Sequence, residues 1–469
     1  SLRTAWNDLR EEVQNVLLFG SGDKDITVKY DDGGKFKYQT SKPFEGVIPN
    51  MERRFRTTES NWANVTVTGH PTKPTAITLQ SNAPSAVSFA SPAGNGFNQP
   101  IYAILEGNGG DLYFGGNFNS PVSRPARFNT TTQKFTMLRS ASSTVYASAK
   151  DANGNLYFGG QGNWGTGYEG IIRYNPTTQT YAALGTGLNV GAKVWAIAID
   201  PSGNVWIGGS AITTAGGISV SNLAKYDPTM DTWSNPINMN NSIYALTFDS
   251  TGQLYIGGAF TAVGATSVFY IAKFDPATST VTTLAGSPIT ASVNALAYDA
   301  ANDALYVAWS STANNRPVSR WNNGTSTWTN PTGFSVATEQ GWSLCLDAAN
   351  NRVLVGTDSG TRIYALDRTT MAATTYAGGA TAGTFNALTL TSTGDLWAGF
   401  STASPGFTGL ASANYTAKYS GGVWSAMTYA NATYPTTSTL FQIYSGLTAT
   451  GTPLVQHAGG TQTYIVSPN

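Results

Sequence analysis

A repeat of about 43 to 50 residues runs from Ile101 nearly to the end of the chain, and it limits the fold more than any other feature. Each unit begins with a short segment that alternates in polarity, which predicts a β-strand. Seven units start in this way, at Ile101-Tyr102-Ala103, Val145-Tyr146-Ala147, Val194-Trp195-Ala196, Ile243-Tyr244-Ala245, Val293-Asn294-Ala295, Trp342-Ser343-Leu344 and Phe385-Asn386-Ala387.

A turn and a second strand follow each start. The turns DANGN, DPSGN and DSTGQ open at Asp151, Asp200 and Asp249, where an Asp side chain bonds its own backbone and Gly accepts positive φ. The second strand, LYFGG at residues 112–116, recurs at 156–160, 205–209 and 254–258, and more loosely at 305–309, 353–356 and 396–399. Its paired glycines predict close backbone approach near a crowded axis.

The third strand ends in a cation followed by an aromatic residue in six of the seven units, with residues 363–366 as the exception. The six pairs are Arg127-Phe128, Arg173-Tyr174, Lys225-Tyr226, Lys273-Phe274, Arg320-Trp321 and Lys418-Tyr419. A fourth strand is expected around residues such as Trp233, Trp328 and Trp424. Four short strands in a unit of this length predict a β-propeller blade, with aromatic side chains between neighbouring blades.

The predicted fold is therefore all-β, a seven- or eight-bladed β-propeller with a small α+β segment at its N-terminal side. Seven units are explicit, and residues 440–469 predict part of an eighth blade, which residues 86–90 would complete. Closing the ring with strands from both ends removes the exposed sheet edge that invites aggregation. We expect eight blades on this basis, with seven as the alternative.

The charge distribution predicts a domain boundary near residue 60. Residues 1–60 contain ten basic and ten acidic residues, whereas charged residues make up only 11% of the whole chain. Residues 61–100 are rich in Thr, Pro, Ser and Asn, with strand-like alternation at 63–68 and 76–80. We predict three regions, namely an N-terminal segment over 1–60, a linker or small β-module over 61–100, and the propeller over 101–469.

The N-terminal segment predicts a helix followed by a β-hairpin. Trp6, Leu9, Val13, Val16 and Leu17 have helical spacing, and Gly20 is a suitable C-terminal stop. Strand-like residues 26–30 and 35–40 flank the turn residues DDGG.

Two stretches of this segment, LLFGSG at 17–22 and FEGVIPNMERRFRTTES at 44–60, resemble bacterial UvrA, the ATPase of nucleotide excision repair. The likeness spans roughly residues 4–60. The G-x-x-x-x-G-K-[ST] loop and the C-x-x-C pairs of that family are absent from this sequence. The resemblance therefore implies common ancestry rather than ATPase activity. We expect a recombined fragment that serves as an anchor, with Arg53, Arg54 and Arg56 on a solvated face.

The repeats resemble bacterial extracellular propellers of the delta-60, kelch-like and two-component-regulator sensor groups. The phrases GNLYFGG, GNVWIGG and YDPTT carry this likeness over about residues 101–430. Such phrases imply blades and leave the function open.

Catalytic chemistry has few candidate residues in this chain. The two histidines, His70 and His457, lie far apart, and Cys345 alternates with leucines as a core residue does. Glu106, Glu169 and Glu339 are the acids that break the turn pattern, and they are loose candidates for a carboxylate pair. We predict no enzyme activity, no metal and no cofactor.

Binding through loops is the better-supported prediction. The long loops after the second strand would gather at one face, and aromatic rings with few charges suit sugars or protein surfaces. The predicted ligand-binding residues are Trp164, Tyr168, Phe269, Tyr270 and Phe407, and the alternative is that these rings pack their own loops.

The net charge of zero predicts no nucleic-acid partner, and no apolar run reaches the roughly 20 residues that membrane insertion requires. We expect a non-catalytic structural or adhesive protein of an external assembly, either a virus or phage particle or a cell-surface structure. Its expected location is extracellular or on the virion surface. The expected partners are other proteins of that assembly, further copies of the chain, or a surface glycan. The alternative is a secreted propeller enzyme, a lyase or a glycan hydrolase.

Overall fold

The structure is a computed structural model of the chain. It describes residues 9–31, 37–45, 64–70, 73–80, 94–139, 143–164, 168–310, 317–334, 339–358, 363–377, 383–402, 410, 413–429, 431–433, 441–447, 453–457 and 463–465. The chain divides into two compact units, residues 1–89 and residues 90–469. Within the described residues, no helix has the length and apolar character needed to span a bilayer.

The first unit contains the predicted helix and hairpin. Its elements are α1 (Glu11–Phe19), β1 (Asp25–Asp31), β2 (Lys37–Pro43), β3 (Asn64–His70) and β4 (Lys73–Gln80). Gly20 ends the helix with a φ of 89°, and its N–H donates to the carbonyl of Val16. Strands β1 and β2 pair antiparallel, as do β3 and β4, so the strand-like alternation seen in residues 61–100 forms a hairpin. Trp6 lies outside the described residues.

The second unit is built from seven four-stranded antiparallel blades. β5 (Gly94–Asn95) precedes them. Blade one contains β6 (Ile101–Glu106), β7 (Leu112–Gly116), β8 (Ala126–Asn129) and β9 (Lys134–Met137). Blade two contains β10 (Val145–Lys150), β11 (Leu156–Asn163), β12 (Glu169–Asn175) and β13 (Thr180–Ala182). Blade three contains β14 (Lys193–Ile199), β15 (Val205–Ser210), the small hairpin β16 (Thr214–Ala215) and β17 (Ile218–Ser219), β18 (Leu223–Asp227) and β19 (Thr232–Ser234).

The remaining blades repeat this pattern. Blade four contains β20 (Ile243–Phe248), β21 (Leu254–Gly258), the small hairpin β22 (Ala262–Val263) and β23 (Thr266–Ser267), β24 (Ile271–Asp275) and β25 (Thr280–Thr282). Blade five contains β26 (Val293–Asp299), β27 (Ala304–Trp309), β28 (Val318–Asn322) and β29 (Thr327–Thr329). Blade six contains β30 (Gly341–Asp347), a short 3-10 helix (Ala348–Asn350), β31 (Arg352–Thr357), β32 (Ile363–Asp367) and β33 (Ala373–Ala377). Blade seven contains β34 (Phe385–Leu390), β35 (Leu396–Phe400), β36 (Thr416–Ser420) and β37 (Val423–Ala426).

The first strands of the blades form a closed ring. Each contacts the first strand of the next blade, in the order β6, β10, β14, β20, β26, β30 and β34, and β34 then contacts β6. Side-chain hydrogen bonds hold the junction between blades seven and one. Asn386 Nδ2 donates to the carbonyl of Ile101 over 3.1 Å, and Thr389 Oγ1 donates to the carbonyl of Ile104 over 2.6 Å. The Glu106 carboxylate accepts from Ser392 Oγ over 2.7 Å.

The expectation of eight blades is therefore wrong, because seven blades already bring β34 and β6 into contact. The tail that we expected to supply an eighth blade instead forms a three-stranded sheet of its own. Its strands are β40 (Phe441–Leu447), β41 (Pro453–His457) and β42 (Thr463–Ile465). Residues 86–90, expected to complete that blade, lie outside the described residues.

Strands from both sides of the propeller do meet at blade one, as expected, although with other residues. Two short strands, β38 (Thr428–Tyr429) and β39 (Asn431–Thr433), follow blade seven. β38 pairs antiparallel with β5, and β39 pairs parallel with β9, the outermost strand of blade one. The outer edge of blade one is thereby covered, which removes unpaired backbone groups from that edge.

Glycines at the end of the second strand make room for the next blade. A Cβ on Gly257 would lie 2.5 Å from Cγ1 of Val293, which begins the first strand of blade five. The same close approach occurs where blade seven meets blade one, because a Cβ on Gly399 would lie 2.6 Å from Cγ2 of Ile101. The prediction of close approach at these glycines is confirmed, and the closest neighbour is a side chain of the adjacent blade.

Blade five reverses this arrangement. Its second strand has Ala308 where other blades have glycine, and the facing first strand of blade six begins with Gly341 in place of a larger residue. A Cβ on Gly341 would lie 3.0 Å from Cβ of Ala308. The small residue has moved from one side of the blade boundary to the other, and the boundary stays close-packed.

Candidate functional site

The turn acids lie at the edge of each blade where the first strand ends and the second begins, and they build the turn. Asp151 and Asp200 each accept backbone N–H groups two and four residues further along, over 2.8 to 2.9 Å. Asp200 Oδ2 also accepts from Trp206 Nε1 over 3.0 Å. The prediction that these recurring acids serve turn architecture is confirmed.

The cation of the third strand completes this cluster. Arg127 forms an ion pair with Asp111 over 2.5 Å, and Lys273 forms one with Asp249 over 3.0 Å. Burial alone would raise the pKa of Asp249, but hydrogen bonds from Thr251, Gln253 and Lys273 outweigh it, so the pKa is lowered. The turn acid is thus ionised and paired inside the blade.

The catalytic candidates are spread over several blades. Glu106 lies at the far end of a first strand and binds Ser392, while Glu169 begins the third strand of blade two. Glu339 is buried just before the first strand of blade six. Burial raises the pKa of the Cys345 thiol to about 11, so the thiol is protonated at neutral pH.

The two histidines lie outside the seven blades. His70 ends β3 in the first unit, and His457 ends β41 in the tail sheet. The described residues contain no group of three or more His, Cys, Asp and Glu side chains that could hold a metal ion.

We use the term loop face for the opposite edge of the propeller, where first strands begin and the connections between second and third strands lie. Antiparallel order places both features on one side of every blade. Phe269 lies in such a connection with 55% of its surface exposed, and its ring centroid is 6.2 Å from that of half-buried Tyr270. Both residues are available on this face.

The other predicted binding residues differ in accessibility. Trp164 is only 2% exposed and therefore offers almost no surface to a ligand. Tyr168 is half-buried, with the Arg139 guanidinium 4.3 Å from its ring centroid. Arg139 Nε also donates to the carbonyl of Trp164 over 2.5 Å, so these side chains pack their own loop. Phe407 lies outside the described residues.

A set of aromatic residues that the sequence analysis did not single out lies at the centre of the loop face. Each first strand has a β-bulge directly after its first residue or first two residues, and the bulged position is equivalent in all seven blades. These positions hold Tyr102, Tyr146, Trp195, Tyr244, Asn294, Trp342 and Asn386. Because first strands surround the axis of a propeller, these side chains ring its opening.

Four of these residues form a continuous run across blades one to four, which we call the aromatic arc. The ring centroids are 5.4 Å apart for Tyr102 and Tyr146, 4.0 Å for Tyr146 and Trp195, and 6.2 Å for Trp195 and Tyr244. All four side chains are half-buried, so part of each ring faces solvent. Burial, followed by the neighbouring Tyr146 and Tyr415, raises the pKa of Tyr102, which keeps its phenol neutral.

The sequence contained a signal for this arc. Aromatic residues occupy the second position of the repeat in four of the seven units as the sequence divides them, and Trp342 is a fifth because the first strand of blade six begins at Gly341. Residues at the first position pack between blades, so this packing does not account for aromatic residues at the second. What the sequence could not show is that a bulge places these residues side by side around the axis.

Two family models match parts of the chain. Residues 1–67 match the UvrA DNA-binding domain, slightly further than the resemblance seen in the sequence, and residues 171–340 match the Rax2 C-terminal beta propeller domain. Both resemblances found in the sequence, to UvrA and to propeller repeats, are confirmed.

Among curated proteins, the first unit is similar to UvrABC system protein A from several bacteria. It is 52% identical over 58 residues to the protein of Brucella abortus biovar 1 (strain 9-941), covering 12% of this chain and 6% of that protein. It is 49% identical over 63 residues to the protein of Bradyrhizobium diazoefficiens, and this match covers 13% of this chain and 6% of that protein. The chain thus spans only a small part of the length of these relatives.

Among solved structures, a chain of a structure titled "Crystal Structure of Mitotic Checkpoint Complex" matches with 14% identity and a TM-score of 0.45. The match covers 68% of this chain and 93% of that one.

Proposed function

We propose that this chain is a non-catalytic structural or adhesive propeller of an external assembly, a phage or virus particle or a cell-surface structure. It binds protein or glycan partners through its loop face. The observation that carries the proposal is the contrast between the two edges of the blades. The recurring turn acids and their cations serve turns and ion pairs at one edge, whereas uncharged aromatic rings gather around the axis at the other edge, which also holds Glu169 and Glu339.

The ion pairs support the non-catalytic part of this proposal. A general acid or base has to be positioned next to a substrate and has a pKa tuned toward the working pH. Asp249 and Asp299 have lowered pKa values because hydrogen-bond donors hold the carboxylates, which is the opposite of that tuning. A secreted lyase or glycan hydrolase is the alternative, and it would require acids that converge on one cleft.

The first unit supports the assembly part of the proposal. It forms a compact unit separate from the propeller and resembles a small piece of a much longer protein. A fragment of this kind suits a role as the anchor that attaches the propeller to other proteins of the assembly.

Size separation of native source material tests the assembly. We expect the chain to travel with a particle or filament of very high mass, and a chain that lacks residues 1–89 to be lost from that fraction. A full-length chain that runs as a free monomer contradicts the assembly role. Turnover of a glycan by the purified protein contradicts the non-catalytic role and supports the enzyme alternative.

A further inference from the structure

We propose that the aromatic arc is a carbohydrate-binding site that takes the sugar rings of a neutral glycan chain across blades one to four. This inference rests on the proposed function, in which the partner is a protein or a glycan. It names the class of glycan and the residues that bind it. The site lies at the axis, apart from the long-loop residues that the sequence analysis singled out.

Propeller packing does not require an aromatic ring at this position. Asn294 and Asn386 occupy the same bulge in blades five and seven. Asn294 Nδ2 donates to the carbonyl of Gly341 over 2.8 Å, and Asn386 Nδ2 donates to that of Ile101 over 3.1 Å. A short amide thus joins neighbouring blades at these two positions, so the four consecutive rings need another explanation.

The arc is held in place before any ligand arrives. Trp195 Nε1 donates to Ser210 Oγ over 2.9 Å, which fixes the indole against its own blade. The ring centroids of Trp195 and Tyr146 are 4.0 Å apart and the ring planes are inclined by 33°, so the two rings stack on each other and fix each other's orientation. Rigid aromatic faces bind with little loss of conformational entropy.

The chemistry of the surface favours a neutral sugar over a charged ligand or a protein. None of the seven bulge residues is charged, and a tyrosine hydroxyl can both donate a hydrogen bond to a sugar hydroxyl and accept one from it. Aromatic faces carry partial negative charge and attract the C–H groups of a sugar ring. Protein hot spots favour deep, fully desolvated pockets, whereas these four rings are half-buried and keep part of their surface in contact with solvent.

Isothermal titration of the full chain with neutral oligosaccharides tests the site. The probes are cellohexaose, maltohexaose and a mannan oligosaccharide, each taken to millimolar concentration. We expect at least one to bind, and Trp195→Ala to weaken its binding by about tenfold or more, equal to about 1.4 kcal/mol. Trp195→Phe keeps a ring and should retain most of the affinity, which separates loss of stacking from loss of fold.

Met230→Ala is the control, because this side chain is 73% exposed and lies in the turn between the third and fourth strands of blade three, at the edge opposite to the arc. It should leave oligosaccharide binding unchanged. If Trp195→Ala does not weaken the binding of an oligosaccharide that the full chain binds, the arc is not the site. If none of the probes binds the full chain, the inference fails, although incorporation into a large particle would leave the proposed assembly role standing.

Discussion

At a blade boundary, the size that one side chain can have depends on the size of the side chain that it faces in the next blade. Gly257 faces Val293, whereas Ala308 faces Gly341, so each boundary has one side without a large side chain. Because protein interiors are packed like organic crystals, a methyl group added on the small side has no room unless the facing side chain becomes smaller.

This arrangement predicts coupling between the two sides of a boundary. Gly257→Ala should lower the free energy of unfolding by about 1–3 kcal/mol, because its methyl group would overlap Cγ1 of Val293. In a Val293→Ala background the same change should cost at least about 1 kcal/mol less. Denaturant titration of the four proteins measures the difference.

Gly324→Ala is a suitable control, since the nearest atom to its Cβ would be 3.5 Å away, and we expect a change within about 0.5 kcal/mol. Equal costs of Gly257→Ala in both backgrounds would contradict the packing account.

A buried ion pair joins blades five and six. Arg368 Nε donates to Asp299 Oδ2 over 2.7 Å, and both side chains are almost fully buried. Burial alone would raise the pKa of Asp299, but hydrogen bonds from Arg368 and Asn302 outweigh it and the pKa is lowered. Arg320 also donates to the carbonyl of Arg368, which extends the network into the third strand of blade five.

Arg368→Met should therefore lower the free energy of unfolding by about 3–5 kcal/mol at neutral pH, because it leaves Asp299 buried without its partner. The native pKa of Asp299 lies below its unfolded value of about 3.9. Its contribution to stability is thus present above that value and is lost as the pH falls through the native pKa. Stability curves between neutral pH and acid should fall less steeply for Arg368→Met than for the wild type. Parallel curves would show that this pair does not contribute to the acid sensitivity.

Strand pairing inside a blade is determined by residues that are close together in the chain, whereas strand pairing at the ring closure depends on strands that are distant in the chain. The third-strand cation reaches the turn acid of its own blade in blades one, four and seven. In blade six the third strand has no cation, and Arg352 of the second strand pairs with Asp347 over 2.7 Å instead. The exception in the sequence motif therefore has a replacement from an adjacent strand.

The closing strands, β38 and β39, predict a specific effect of shortening the chain at its C-terminal side. A chain that ends at Ala426 loses Met427 and Tyr429, both buried, and it exposes the edge of β9. We expect a loss of roughly 3–6 kcal/mol from these two side chains, at about 1.5–3 kcal/mol each, and self-association through the uncovered edge. Thermal unfolding and light scattering measure both effects.

A chain that ends at Thr433 is the control. It retains β38 and β39 and should match the full chain in melting temperature and monomer content. If this control loses as much stability as the shorter chain, the tail and not the closing strands stabilises the ring.

At the scale of the whole molecule, the chain consists of two compact units with different sequence origins. Residues 1–67 resemble part of a repair protein, and residues 90–469 contain the complete ring of seven blades. The second unit also includes β5, which pairs with β38, so this unit begins before the first repeat.

Residues 90–469 expressed alone should therefore fold. We expect the same melting temperature as the propeller transition of the full chain and the same oligosaccharide affinity, because the seven blades and the aromatic arc lie within this part. Calorimetry and isothermal titration measure these. A fragment that begins at Ile101 lacks β5 and should melt at a lower temperature. Insoluble or unfolded protein from residues 90–469 would show that the first unit is needed for the propeller.

Local sequence was sufficient for the helix at Glu11–Phe19, the strands, the Asp turns and the all-β propeller class. Polarity alternation, turn chemistry and the repeat length each depend on residues close together in the chain, so they can be recognised without a structure.

The number of blades, the closing strands, the exchange of Ala308 and Gly341 and the aromatic arc could be found only in the tertiary structure. Each depends on residues that are distant in sequence, such as Asn386 and Ile101, which are 285 positions apart. A repeat pattern describes one blade and its turns. How many blades close the ring, and which side chains then meet at the axis, depends on the angle and packing between blades, which are properties of the assembled molecule.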